Sequence, residues 1–185
     1  MTSRDGQGAS GARWLLPAIG MLAAGVTAAI FIAGRLLQPD YTFSLFGPDP
    51  IPAKSALSTI ALALAGLQVL LALWLYRKLP LAAAPPRPVR YAHRITGAVL
   101  FALTVPVALH CLIVYGVQLT SPRVAIHSVA GCFFYGAFAA KVLAVHSRRL
   151  PGWLLPLAGG TLAVVIAVLW YTSALWYYNG YQLPL

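Results

Sequence analysis

Long runs of apolar residues alternate with short polar, proline-rich or arginine-rich stretches along the whole chain. Each run is long enough to cross the hydrocarbon core of a bilayer, which takes about 20 residues of α-helix. The pattern therefore predicts an all-α protein, an integral membrane bundle of five transmembrane helices. The predicted helices cover residues 14–34, 55–76, 91–115, 124–145 and 153–176.

The polar stretches divide the chain around these helices. Residues 1–13 are rich in Gly, Ser and Arg and predict a short cytoplasmic tail, and residues 14–185 predict one transmembrane domain. The first apolar run is longer than the core of a signal peptide, which favours a retained helix. Residues 35–54 carry four prolines and two of the chain's three acids, so we expect an irregular loop there.

Composition excludes a soluble domain. The chain is 60% hydrophobic and 9% charged, and its mean hydropathy is +0.79. A soluble core of this size cannot bury so much apolar surface, whereas a bilayer solvates it. The net charge of +10 raises the question of nucleic acid, but the basic residues lie in short loops. Lipid headgroups account for them, so membrane lipid is a predicted partner and nucleic acid is not.

The distribution of Lys and Arg predicts the direction of insertion. Counted with the N-terminus inside, the inner segments hold nine of these residues and the outer segments three, which favours N-inside, C-outside. The inner set is Arg4, Arg13, Arg77, Lys78, Arg87, Arg90, Arg94, Arg148 and Arg149. The outer set is Arg35, Lys54 and Arg123.

All four histidines lie at the ends of the third and fourth predicted helices. His93 and His110 bound one apolar segment, and His127 and His146 bound the next. If these helices are antiparallel neighbours, His93 pairs in depth with His146, and His110 with His127. A single antiparallel register places the two histidines of each pair at the same depth to within about two residues, or roughly 3 Å of helix rise. Two matched levels are what bis-histidine haem ligation requires.

Two glycines repeat the same spacing from a histidine. Gly97 follows His93 by four residues, and Gly131 follows His127 by four. Residues four apart share a helix face. We therefore expect both glycines to leave room for a flat macrocycle beside the helices.

Three arginines lie near the histidines. Arg90 and Arg94 are within one turn of His93, and Arg123 is one turn before His127. Guanidinium groups bind carboxylates in a two-pronged geometry. We expect these residues to pair with haem propionates at each membrane surface.

The number of haems stays open at this stage. The two levels are roughly 25 to 28 Å apart along the helices by rise alone. This spacing is long for two haems, so one haem at the outer pair, His110 and His127, is the main variant. In that case His146 is an ordinary interfacial residue.

The arrangement of helices three and four resembles the transmembrane di-haem b-type cytochromes, which include the ascorbate-reducible cytochromes and the ferric reductase-like membrane domains. That resemblance implies bis-histidine haem b and electron transfer across the membrane. A wider resemblance, to an uncharacterised actinobacterial family of five-helix membrane proteins, implies a multi-pass protein of the bacterial plasma membrane. It is carried by A-H-R-I-T-G (92–97), V-P-V-A-L-H-C (105–111), H-S-V-A-G-C-F-F-Y-G-A-F-A-A-K (127–141) and L-P-G-W-L-L-P (150–156).

The leading hypothesis is a haem b membrane protein that transfers electrons between the two faces, or between quinol and one face. A redox partner protein or quinone would then be its partner. Whether the protein is the cytochrome b subunit of an oxidoreductase stays open. The alternative is a non-redox subunit, an assembly factor or a metal-handling protein that uses the histidines with Cys111 and Cys132. Oligomeric state stays open.

Overall fold

The structure, a computed structural model, describes residues 5–80, 85–147 and 150–182, with side chains from Trp14 onward. All regular elements in these ranges are helical. They are α1 (Asp5–Leu36), α2 (Pro50–Leu75), α3 (Arg87–Val114), α4 (Pro122–His146), α5 (Leu154–Trp170), a π-helical segment (Tyr171–Leu175) and α6 (Trp176–Tyr178).

Within the described ranges, five helices are long and apolar enough to cross a membrane, which agrees with the predicted number. The last of them is α5 continued through the π-helical segment and α6, spanning Leu154–Tyr178. Insertion into a bilayer and the direction of the termini stay predictions. α1 begins at Asp5, inside the predicted cytoplasmic tail.

α2 begins at Pro50, several residues before the predicted start at Ser55. Proline is tolerated in a first helical turn because the amide hydrogen it lacks has no intrahelical partner there. The Asp49 carboxylate caps this turn by accepting from the backbone N–H of Ile51. The end of the proline-rich stretch is therefore a helix start, which brings Lys54 onto α2.

The helices pack in an order that differs from their order in the chain. α1 packs on α4, α4 on α5, α5 on α2, and α2 on α3. The segment after α3 then returns to α1, where Val117 N–H donates to the Gly34 carbonyl at 2.8 Å. Gly116 turns the chain there with a φ of +65°, a conformation that glycine adopts without strain.

α3 and α4 follow each other in the chain, but their backbones do not pack closely along their length. They meet through side chains at mid-depth. The rings of Phe101 and Phe138 stack with centroids 3.9 Å apart, and the Tyr135 hydroxyl donates to Thr104 Oγ1 at 3.2 Å. These contacts give the antiparallel register that the sequence predicts for the two helices.

The buried core lies at this same mid-depth and joins α2, α3, α4 and α5. Phe134 of α4 is its largest member and is 1% exposed. Its apolar side chains fill the middle of the bundle, so polar side chains concentrate at the two ends. The core residues are Ala65, Leu100, Phe134, Leu162, Val165 and Ile166.

We predict that Gly136→Ala separates α1 from α4. A Cβ at Gly136 would overlap Thr27 Oγ1 and the backbone carbonyl of Ala23, and a backbone atom cannot move aside cheaply. We expect a loss of about 1–3 kcal/mol in the free energy of unfolding, measured by thermal unfolding in detergent. Gly160→Ala is the matched control, because nothing lies within 4 Å of its added Cβ. Equal unfolding temperatures for the two variants would contradict the close α1–α4 contact.

Candidate functional site

The four histidines lie toward the two ends of the bundle. We call the end that holds residues 37–49, His110 and His127 the loop end, and the end that holds His93 and His146 the arginine end. Exposed basic side chains mark the arginine end, namely Arg77, Lys78, Arg87, Arg90 and Arg94. The two ends differ in how completely they enclose their histidines.

His110 is buried at the loop end and is 1% exposed. Aromatic rings surround it: the ring centroids of Phe46, Phe43 and Tyr115 lie 5.4, 6.1 and 6.1 Å from that of the imidazole. Phe43 and Phe46 come from residues 37–49. This loop therefore covers the imidazole from the end of the bundle.

The loop is anchored at Asp40. Its backbone N–H donates to the Ile113 carbonyl at 3.0 Å, which ties the loop to the last turn of α3. The Thr42 hydroxyl and backbone N–H donate to the Asp40 carboxylate at 2.6 and 2.9 Å. These bonds, that of the Thr42 hydroxyl first, hold the pKa of Asp40 below its usual value, because they favour the charged carboxylate.

Lys54 is a site residue that the sequence analysis missed. Its Nζ lies 3.5 Å from His110 Nδ1, 4.0 Å from Cys111 Sγ and 4.7 Å from the centroid of the Tyr115 ring. The only signal in the sequence was a lysine placed just before a long apolar run, which the positive-inside count treated as a loop residue.

No described carboxylate neutralises Lys54. Of the acidic side chains that the structure describes, Asp40 accepts from Thr42 and Asp49 caps α2. An ammonium group has no lone pair, so Lys54 can only donate to His110 Nδ1. In this arrangement the proton of the neutral imidazole lies on Nε2.

In His127 the proton lies on the other ring nitrogen, Nδ1. Its Nδ1 lies 2.9 Å from Thr172 Oγ1, and the Thr172 hydroxyl lies 2.8 Å from the Val168 carbonyl. The hydroxyl has one hydrogen, which it donates to that carbonyl, so it accepts from His127 Nδ1–H. The lone pair of the neutral imidazole then lies on Nε2, as it does in histidines that ligate metals through Nε2.

The π-helical segment of the fifth span places this partner. Single π-turns within α-helices are rare and frequently occur at functional sites. Arg123 donates to the Thr172 carbonyl at 2.8 Å, and its guanidinium stacks on the Trp176 ring at 3.7 Å. Arg123 thus lies near His127, as the sequence predicts. One of its guanidinium N–H groups is used in the hydrogen bond to the fifth span.

Gly97 and Gly131 do not face the space between α3 and α4, contrary to the sequence-based expectation. A Cβ on Gly97 would meet the amide of Gln68 on α2 at 3.2 Å, and one on Gly131 would meet Leu169 on α5 at 3.9 Å. The physical reason is the packing order, in which α3 lies on α2 and α4 on α5. These glycines serve helix packing.

His93 and His146 have different surroundings at the arginine end, and their pairing as a second set of ligands stays a prediction. His146 is exposed, and its Nδ1 lies 2.8 Å from the Val142 carbonyl of its own helix. His93 is partly buried, and its Nδ1 is buried without a partner. The register of the mid-depth contacts between α3 and α4 places the two histidines at about equal depth. Arg90 and Arg94 are exposed beside them.

Metal ligation by a cluster of side chains was the other expectation for the histidines and cysteines. Across the described ranges, no three His, Cys, Asp or Glu side chains are grouped so that they could hold a metal ion. Cys111 and Cys132 are both free thiols.

We predict that Thr172→Val breaks the anchor of His127. The substitution keeps the volume but removes the hydroxyl, which leaves the imidazole N–H without its acceptor and costs about 1–3 kcal/mol in the free energy of unfolding. Nitrogen-15 spectra of histidine-labelled protein should show the Nδ1–H tautomer of His127 in the wild type and in Thr172→Ser. An Nε2–H tautomer in the wild type would contradict this assignment.

Comparison with known proteins places the chain in a family. No curated protein matches it, and no solved structure matches it. A family of unknown function, DUF6529, matches residues 14–185, which include all five spans and all four histidines. The chain therefore belongs to the DUF6529 family.

Proposed function

We propose that this protein is a b-type haem membrane protein that binds one haem at the loop end, with His110 and His127 as axial ligands. The observation that carries the proposal is the hydrogen bond from His127 Nδ1 to Thr172, which orients an imidazole and leaves its Nε2 lone pair for a ligand. A histidine that ligates iron commonly has its other nitrogen held in this way.

The bundle at this level suits a cofactor between helices. The backbones of α3 and α4 do not pack closely, and a macrocycle held from both sides requires such a separation. Lys54 Nζ lies 3.5 Å from His110 Nδ1, and Arg123 donates to the carbonyl of Thr172, the residue that holds His127. Each predicted ligand thus has a cation close to it.

Lys54 has a second role in the proposed site. Ligation of iron through His110 Nε2 requires the imidazole proton to lie on Nδ1, and Lys54 must then withdraw from that nitrogen. Its ammonium, together with the free donors of Arg123, supplies positive charge for the propionates of the cofactor. The loop residues Phe43 and Phe46 exclude water from the His110 side.

Haem ligated by two histidines supplies a one-electron carrier without an open coordination position. The protein's residues would then set where that electron is exchanged. The site lies at one end of the bundle, and the mid-depth beyond it is packed with Phe101, Phe134, Tyr135 and Phe138. This arrangement favours exchange at one membrane face, with quinol or a redox partner protein, over transfer across the whole membrane.

We predict one haem per chain, measured by a pyridine haemochrome assay together with oxidised and dithionite-reduced visible spectra. His110→Ala and His127→Ala should each remove it, because each takes away one of two axial ligands. His146→Ala should keep it, since that imidazole is exposed and bound to its own helix. A colourless wild-type protein from haem-replete cells, or haem loss on replacing His146 alone, would disprove the assignment.

We further predict that Lys54→Met lowers the midpoint potential of the bound haem. A nearby cation favours the reduced, less positively charged iron, so its removal favours the oxidised form. An interaction of about 1 kcal/mol corresponds to about 40 mV for one electron. The measurement is a redox titration followed in the visible spectrum. Lys78→Met, an exposed lysine at the arginine end, is the control and should leave the potential unchanged.

A further inference from the structure

Thr172 of the π-helical segment contacts α4 through two of its atoms. Its backbone carbonyl accepts from Arg123 at 2.8 Å, and its Oγ1 lies 2.9 Å from His127 Nδ1. Arg123 and His127 are four residues apart, so both lie on the same face of α4. Thr172 itself is 1% exposed. One face of α4 thus holds both the backbone and the side chain of a single buried residue.

The guanidinium of Arg123 is itself held in place by an aromatic ring. Its central carbon lies 3.7 Å from the centroid of the Trp176 ring. Trp176 directly follows the π-helical segment and packs against the ring of Tyr181, whose centroid lies 4.7 Å away. A planar guanidinium can lie on a ring and donate from its edge at the same time, whereas a lysine ammonium has no such plane. The bond to the Thr172 carbonyl therefore has a set direction.

The backbone position of Thr172 decides where its hydroxyl lies. That hydroxyl donates to the Val168 carbonyl at 2.8 Å, which leaves its lone pairs for His127. The χ1 angle of a β-branched side chain is restricted, so the oxygen moves with the backbone. Holding the carbonyl of Thr172 therefore also holds the acceptor of the imidazole N–H.

We propose that Arg123 is a positioning residue for His127. Its guanidinium bridges Trp176 and the Thr172 carbonyl, and this keeps the Thr172 hydroxyl where it accepts from His127 Nδ1–H. This role is separate from the positive charge that Arg123 offers to haem propionates. Its redox consequence rests on the proposed function, in which His127 is an axial ligand, but its effect on the imidazole proton does not.

The first test locates the imidazole proton in the haem-free full chain, by nitrogen-15 spectra of histidine-labelled protein in detergent. Arg123→Lys keeps the charge but loses the planar donor. We expect the ratio of the Nδ1–H to the Nε2–H tautomer of His127 to fall about fivefold, the effect of losing one hydrogen bond. Arg35→Lys is the matched control and should leave the ratio unchanged, since Arg35 also donates to a backbone carbonyl, that of Val117 at 3.2 Å.

Two further comparisons separate positioning from a general loss of structure. Trp176→Leu removes the ring under the guanidinium and should lower the ratio, whereas Trp176→Phe keeps an aromatic ring and should lower it less. In a Thr172→Val background, Arg123→Lys should have no further effect on the His127 signals, because the hydroxyl through which Arg123 acts is gone. An unchanged ratio in Arg123→Lys, or an equal effect with and without the Thr172 hydroxyl, would overturn the proposal.

The haem-loaded protein gives a second readout. A hydrogen bond from Nδ1–H makes an imidazole a stronger donor to iron and favours the oxidised form. Arg123→Lys should therefore raise the midpoint potential by about 40 mV, which is about fivefold in the one-electron equilibrium. A role through charge alone would leave the potential unchanged, because lysine keeps the charge, and that result would overturn the proposal. Absence of haem from the wild type would disprove the proposed function instead, and the tautomer ratio would still decide the role of Arg123.

Discussion

The separation of α3 from α4 is the constraint on which the proposed haem site depends. α4 is held on its other sides, against α1 at the glycine contact of Gly136 and against α5 along its length. α3 is held by α2, and the segment after it is bonded back to α1. The two helices meet at mid-depth through the stacked rings of Phe101 and Phe138.

The second feature of the protein is its excess of basic over acidic side chains. The chain has 13 Lys and Arg and three acids, and the two described carboxylates are used in a turn and a helix cap. Lys54, beside His110, therefore has no acidic partner among the described residues. In the proposed site the propionates of a haem would supply the missing negative charge.

The candidate site could be predicted only in part. The depth of each histidine follows from helix rise, and the contacts of Phe101 with Phe138 and of Thr104 with Tyr135 agree with the predicted register. The direction in which each side chain points could not be predicted from the sequence, because it depends on which helices pack together. His146 therefore lies outside the bundle although its depth matches that of His93, and Gly97 faces α2.

The sequence by itself determined the number of spanning helices and the concentration of histidines in two of them, because apolar run length and helix rise are local properties. Tertiary structure alone decided which groups meet. Lys54 reaches His110 because α2 starts within the proline-rich stretch and packs on α3. Thr172 reaches His127 through a π-helical segment that no local pattern indicates. Such contacts join residues far apart in the chain, so they depend on packing order, which hydrophobic periodicity does not encode.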